Sequence, residues 1–125
     1  MPTVDPTPDQ IRALAAEART ATGPVVMVNL LRFAGEEGRA SYRAYAEQAL
    51  PLLHRAGASV VYAGEAAAAV IGPDPWWHEV LLVRYPSRQA FLDAVMDPEY
   101  QSFTHLRTAA LEDARLVPTD PAPGL

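Results

Sequence analysis

The chemistry this chain could do rests on a few polar side chains set among apolar ones. Asn29 interrupts the run VVMVNLL at 25–31. An amide placed there costs free energy unless it is hydrogen-bonded, so it is either a structural amide or a group that meets a ligand. Glu79 opens the run EVLLV. Buried, its pKa would rise and it could act as a general acid or base; in water at a strand end it would be an ordinary carboxylate paired with an Arg. His78 follows Trp76-Trp77, which reads as an aromatic-lined mouth with a titratable group, or as two tryptophans plugging a dimer seam or a barrel end. His105, a second candidate for acid–base work, stands two residues from Arg107, so the two do not share a helix face. They cannot form a two-ligand metal motif. Arg107 could hold a carboxylate bidentately, or pair with Glu112 or Asp113. Tyr42 and Tyr45 lie three apart on one helix, and a buried hydroxyl there needs a partner such as Asn29 or Arg107.

Strand alternation sorts these groups. Met27, Asn29 and Leu31 share one face, as do Trp77, Glu79, Leu81, Val83 and Tyr85. The pleat therefore predicts that Asn29, Glu79 and Tyr85 face the helices and that Tyr45 and the 105–107 segment close a pocket over them. Val26, Val28, Leu30, Val80 and Leu82 take the other, uniformly aliphatic face.

Composition narrows the chemistry. The chain has 125 residues, no Cys, and ten basic residues that are all Arg. Thiolate nucleophiles, Cys-ligated metals, Schiff-base lysines and a P-loop lysine are excluded. No G-x-S-x-G elbow, G-x-G-x-x-G loop or EF-hand loop occurs, and the three histidines have no metal-ligand spacing. The expectation is no metal, nicotinamide or pyridoxal cofactor. Net charge of −5 argues against nucleic acid as the main partner. Residues 1–10 lack the pattern of a signal peptide, and the apolar run 25–31 is far below the roughly 20 residues of a membrane span, so a cytoplasmic protein is expected.

The elements that must position these groups follow from local signals. Thr7-Pro8-Asp9-Gln10 is a capped helix start, and a helix to about residue 20 follows. Residues 25–31 and 77–85 read as strands apolar on both faces, hence central. FAGEEGR at 33–39 reads as a loop, with Ser41 capping an amphipathic helix that Pro51 kinks and Gly57 stops. A second strand region spans 58–71, and 72–75 is a turn. Ser87 caps a third helix, Asp97-Pro98 starts another running to about residue 110, and 113–117 is the last strand. After the first helix the order is β-α-β-β-α-β, an α+β ferredoxin-like arrangement with a four-stranded antiparallel sheet. The domain organisation is an extension with a short helix at 1–23, the ferredoxin-like domain at 24–118 and a tail at 119–125.

Two helices cover one sheet face, while the central strands are apolar on the other. A bare apolar face of several hundred Å² is uncommon on a monomer, which predicts a homodimer packed sheet to sheet. The segments HEVLLVRYPSRQAFLDAVMDPEYQSF, SYRAYAEQALPLLHRAGA and HLRTAALEDARLV resemble domain of unknown function family 1330. The marks are Tyr85-Pro86-Ser87, Asp97-Pro98-Glu99-Tyr100 and Arg107, over about residues 24–118. The resemblance implies a dimeric α/β barrel and little about chemistry.

The function expected on these grounds is binding of a small organic molecule, apolar or acidic, in a pocket between sheet and helices. By analogy with dimeric α/β-barrel proteins, catalysis there would be cofactor-independent proton transfer, cyclisation or oxygenation, with Glu79 and His105 as catalytic groups. Asn29, Tyr45, Trp77, His78, Tyr85 and Arg107 would bind the ligand. A second expectation is a heme-binding or heme-degrading monooxygenase: such proteins are similar in having an Asn on the first strand and a His on the helix after the third, near Asn29 and His105. Their Trp on that helix falls near Ala94 here, a departure. A third is a non-catalytic dimeric binding or stress-related protein.

Overall fold

Thr7 accepts the Gln10 N–H at 3.1 Å while Gln10 Oε1 accepts the Thr7 N–H at 2.9 Å, the reciprocal cap that starts helix α1 (Pro8–Ala18). The computed structural model describes residues 3–74 and 76–123. Within it the order continues β1 (Val25–Phe33), α2 (Gly35–Arg55), β2 (Ser59–Glu65), β3 (Glu79–Tyr85), α3 (Arg88–Val95), α4 (Pro98–Gln101), α5 (Thr104–Ala110) and β4 (Leu111–Thr119). The last residue of the expected 72–75 turn, the first two of the extension and the last two of the tail lie outside the described residues.

The strands form one antiparallel sheet in the order β2-β3-β1-β4, so the two doubly apolar runs are the central strands of a ferredoxin-like fold. Asn29 stands opposite Leu81, and Leu31 opposite Glu79 and Ala114. Val25, Met27, Leu31, Phe33, Val83 and Tyr85 are buried under the helices, with Ala49, Leu52, Leu53, Phe91 and Leu92 packed over them. On the opposite face Val26, Val28, Leu30, Val80 and Leu82 stay half-buried, while Tyr62 and Val117 are exposed.

Several boundaries differ from the sequence reading, each for a physical reason. The 33–39 segment is not a loop. Gly35, at φ 68°, turns the chain from β1 directly into α2, and Glu36 and Glu37 suit the positive end of the helix. A Cβ on Gly38 would lie 2.5 Å from the Ala110 carbonyl oxygen, so a residue that reads as a helix breaker is what brings α2 against α5. Ser41 is therefore inside α2 and donates to the Leu106 carbonyl at 2.8 Å rather than capping. The helix runs through Pro51 to Arg55. Strand β2 ends at Glu65, so the alanines at 66–69 form no strand. The helix expected over 97–110 is two helices, and β4 extends into the expected tail as far as Thr119. No helix among the described residues is long and apolar enough to cross a membrane.

Candidate functional site

A cavity of about 1110 Å³ lies between the sheet and the helices. From β1 and β3 its wall takes Met27, Asn29, Phe33, Glu79, Leu81, Val83 and Tyr85, all of one pleat parity. Helix α2 adds Arg39, Tyr42 and Tyr45, α4 adds Tyr100, and α5 adds Arg107. Helix α1 and the segment before it contribute Val4, Ile11, Leu14 and Glu17 to the rim.

The aromatic groups form one connected cluster. The Tyr45 and Tyr100 hydroxyls are 2.6 Å apart and hydrogen-bonded, and both rings meet Phe103 edge-on. Tyr42 lies 5.5 Å from Phe33 and 5.3 Å from Tyr45 between ring centroids. Burial drives the tyrosine pKa values up: Tyr42 to about 12 with the Arg107 charge opposing the rise, and Tyr45 and Tyr85 further still. All three are neutral phenols at physiological pH.

Asn29 donates weakly from Nδ2 to the Leu81 carbonyl at 3.3 Å and the Met27 carbonyl at 3.4 Å. These long bonds tie the amide to the sheet on its nitrogen side. Glu79 is half-buried, and burial raises its pKa; the Arg39 guanidinium opposes the rise and Glu65 adds to it. Glu65 stands directly opposite Glu79 in the β2–β3 register, which accounts for the repulsion. Arg39 itself packs over the Phe33 ring at 4.6 Å.

Arg107 forms no ion pair with Glu112 or Asp113. Its Nη1 donates to the Val4 carbonyl, which ties α5 to the N-terminal segment. Glu112 pairs instead with Arg32, and Asp113 with Arg115 at 2.7 Å. That segment is held twice more: Thr3 N–H donates to Asp113 Oδ1 at 3.0 Å and its carbonyl accepts from Ala114 N–H at 2.8 Å. At the other end of α1, Arg88, 6% exposed, donates to Glu17 at 3.2 Å and Asp120 at 2.8 Å.

Three of the sequence candidates lie off the cavity wall. His78 accepts the Phe33 N–H on Nδ1 at 3.0 Å, so its neutral ring carries the proton on Nε2. Its own N–H donates to the Leu31 carbonyl at 2.8 Å, so it continues the pairing of the sheet beyond β3. Trp77 stacks on Trp76, with the Arg115 guanidinium 5.2 Å from its ring. His105 is exposed on α5. The remaining histidine, His54, is exposed at the end of α2. None of the three histidines lines the cavity, so no histidine is placed to ligate a heme there. Tyr100, Tyr42 and Arg39 complete a wall that the candidate residues describe only in part. Tyr100 sits in the Asp97-Pro98-Glu99-Tyr100 stretch, and a tyrosine just after a helix start was the available signal.

The family model described as Domain of unknown function (DUF1330) matches residues 36–119. The chain belongs to this family. Its match begins within α2, so α1 and the segment before it lie outside. The structure is similar to that of RPA0582, a protein of unknown function from Rhodopseudomonas palustris, at 32% identity and a TM-score of 0.89 over 99% of this chain and 100% of that one. It shares its fold with a dimeric protein of unknown function and ferredoxin-like fold from Bacteroides fragilis, at 13% identity and a TM-score of 0.55, over 80% of this chain and 98% of that one. A dabb family protein with a ferredoxin-like fold from Mesorhizobium loti is similar to the same extent, at 13% identity and a TM-score of 0.55, with 80% and 98% covered. No curated protein matches the chain.

Proposed function

We propose that this member of the DUF1330 family binds one small organic molecule per subunit in the cavity under the helices, and that two copies pair through the opposite sheet face. The observation that supports the first part is the division of the sheet. One face carries the polar groups Asn29, Glu79 and Tyr85 over about 1110 Å³ of space, and the centre of the other, at Val26, Val28, Leu30, Val80 and Leu82, is aliphatic. A concave, largely apolar site with a few convergent polar groups is the usual form of a small-molecule site. The aliphatic face supports the pairing, because unsatisfied polar groups would be costly in a sheet-to-sheet seam. The description of the Bacteroides fragilis neighbour as dimeric agrees with this. The reading carries with it a cytoplasmic location and no bound cofactor.

If the bound molecule is turned over, Glu79 is the proton acceptor, since its raised pKa makes it a stronger base than an ordinary carboxylate at the same place. A purely binding role needs no such group. Titration of 2-naphthol into the protein, followed by chemical shifts of the Asn29 and Leu81 amides, tests the cavity. Asn29→Ala should weaken that binding more than it lowers the melting temperature; the reverse result would make Asn29 a structural amide only. Light scattering at micromolar concentration tests the pairing, and a monomer would end it.

A further inference from the structure

The polar atoms of the cavity wall are not equally satisfied. Asn29 uses its Nδ2, and no hydrogen bond from the described residues reaches its Oδ1 or the Tyr42 and Tyr85 hydroxyls. Among the described residues the one fully buried side-chain polar atom without a partner is Asp113 Oδ2. The unpaired atoms of Asn29, Tyr42 and Tyr85 therefore keep access to open space. For Tyr85, which is 3% exposed and lines the cavity, that space is the cavity. These are the lone pairs and O–H groups that a ligand can meet.

The charges on the wall are also unequal. Arg39 lies near enough to Glu79 for its charge to oppose the rise of that carboxyl's pKa, and it packs over the Phe33 ring. Arg43 is exposed and keeps its hydration. Arg107 is half-buried, lines the cavity, and has no carboxylate within ion-pair distance among the described residues; its one bond is to a neutral carbonyl. A partly desolvated guanidinium with unused N–H groups calls for an anion. Arg107 and Tyr42 both line the cavity, and the Arg107 charge opposes the rise of the Tyr42 pKa.

Resting on the cavity reading above, we propose that the ligand is an organic acid bearing a hydroxyl group on an apolar body about two rings long. Its carboxylate lies against Arg107 and the Tyr42 hydroxyl, and its own hydroxyl donates to Asn29 Oδ1. Tyr42 packs on Phe33, four strand residues from Asn29, about 13 Å along β1 at the usual rise. Side chains reach inward from both ends of that span, and a two-ring body bridges what is left. Tyr42, Tyr45 and Tyr100 line the cavity, Leu81 stands opposite Asn29, and Leu31 paired with Glu79 lies midway along the span.

Four naphthalenes separate the parts of this proposal: 6-hydroxy-2-naphthoate, 2-naphthoate, 2-naphthol and 2-naphthamide, each titrated calorimetrically at pH 7. The hydroxy acid should bind tightest, and the acid should bind about tenfold or more better than its amide. Arg107→Gln should abolish the acid-over-amide preference and leave 2-naphthol binding in place. Tyr42→Phe, which removes one oxygen and keeps the packing, should reduce the same preference without abolishing it. Asn29→Ala should remove only the advantage of the hydroxyl. Equal binding of acid and amide to the unmodified protein overturns the anion assignment while the cavity reading stands. An acid preference that survives both Arg107→Gln and Tyr42→Phe also overturns it. Failure of all four probes to bind overturns both.

Discussion

The Tyr45–Tyr100 hydroxyl pair offers a measurement of how wet the cavity is. The two oxygens are 2.6 Å apart, and the residues are 7% and 8% exposed. Changing either to Phe keeps the edge-to-face packing with Phe103 and leaves the other hydroxyl without its partner. An orphaned buried hydroxyl costs about 1–3 kcal/mol, the low end applying where water can replace the lost partner. Both residues border a cavity large enough for water, so each single change should cost about 1 kcal/mol. For a chain of this length that is a drop of about 4 °C in Tm.

The double change Tyr45→Phe with Tyr100→Phe removes the bond but strands no hydroxyl. It should therefore cost less than the two singles together, with a coupling energy of about 1 kcal/mol. Urea unfolding of the four proteins, read by far-UV circular dichroism, closes the cycle. Singles costing about 3 kcal/mol each would mean that the cavity is dry around these rings. Strict additivity would show that the two hydroxyls do not bond at all, and the reasoning from their geometry would fail.

Other outcomes follow from the same structure. Burial raises the folded-state pKa of Glu79 above its ordinary value of 4.5, so the fold favours its protonated form, and ionisation costs stability as pH rises through that window. Glu79→Gln should thus leave Tm unchanged near pH 4 and raise it at pH 7; a gain that is largest in acid would contradict this. Asp113 is the opposite case: the Thr3 N–H, with Arg115 and Ala114 behind it, holds its pKa below 3.8, so its contribution is present above that value and lost as pH falls through the lower one. Asp113→Asn should lower the urea midpoint at pH 7, and the difference should shrink toward pH 2. Leu82→Arg, on the aliphatic face, should yield a monomer by light scattering with the melting of the isolated subunit retained. Removing residues 1–22 should leave a folded domain whose cavity admits a larger hydrophobic dye, seen as increased fluorescence on dye binding; unchanged dye binding would mean that α1 does not close the rim.

How much of this was legible before the structure depends on how local each cause is. The Thr7–Gln10 cap is a four-residue event, and its residue types announce it. Double-sided apolarity needs only the runs at 25–31 and 79–83, and it places β1 and β3 at the centre of the sheet. Pleat parity then assigns the faces, because no bulge falls within the paired stretch 25–31 against 79–85. The bulges that do occur are near Phe33 and Val61, at the margins. Gly38 and Ser41 depart from what their local sequence implies for one reason. Each answers to α5, some 65 residues or more away in sequence, through the Ala110 and Leu106 carbonyls, and no local pattern carries that information.

The long-range contacts at the cavity rim extend the point to function. Local sequence offers Arg107 the neighbours Glu112 and Asp113, but its partner is Val4, 103 residues away. Asp113 in turn is 2% exposed because Thr3 lies on it, at a separation of 110 residues. The chain before residue 36 is outside the stretch that the family model matches, yet it supplies part of the rim and takes one N–H of the arginine that points to an anion. What distinguishes this cavity from a generic groove on the same sheet is thus carried by the N-terminal segment and α1. Ligand size should follow those residues, whereas the chemical preference for an acid should follow Arg107 and Tyr42. Tyr42→Phe tests the second property by itself, whereas truncating the extension opens the rim and also removes the Val4 carbonyl to which Arg107 donates.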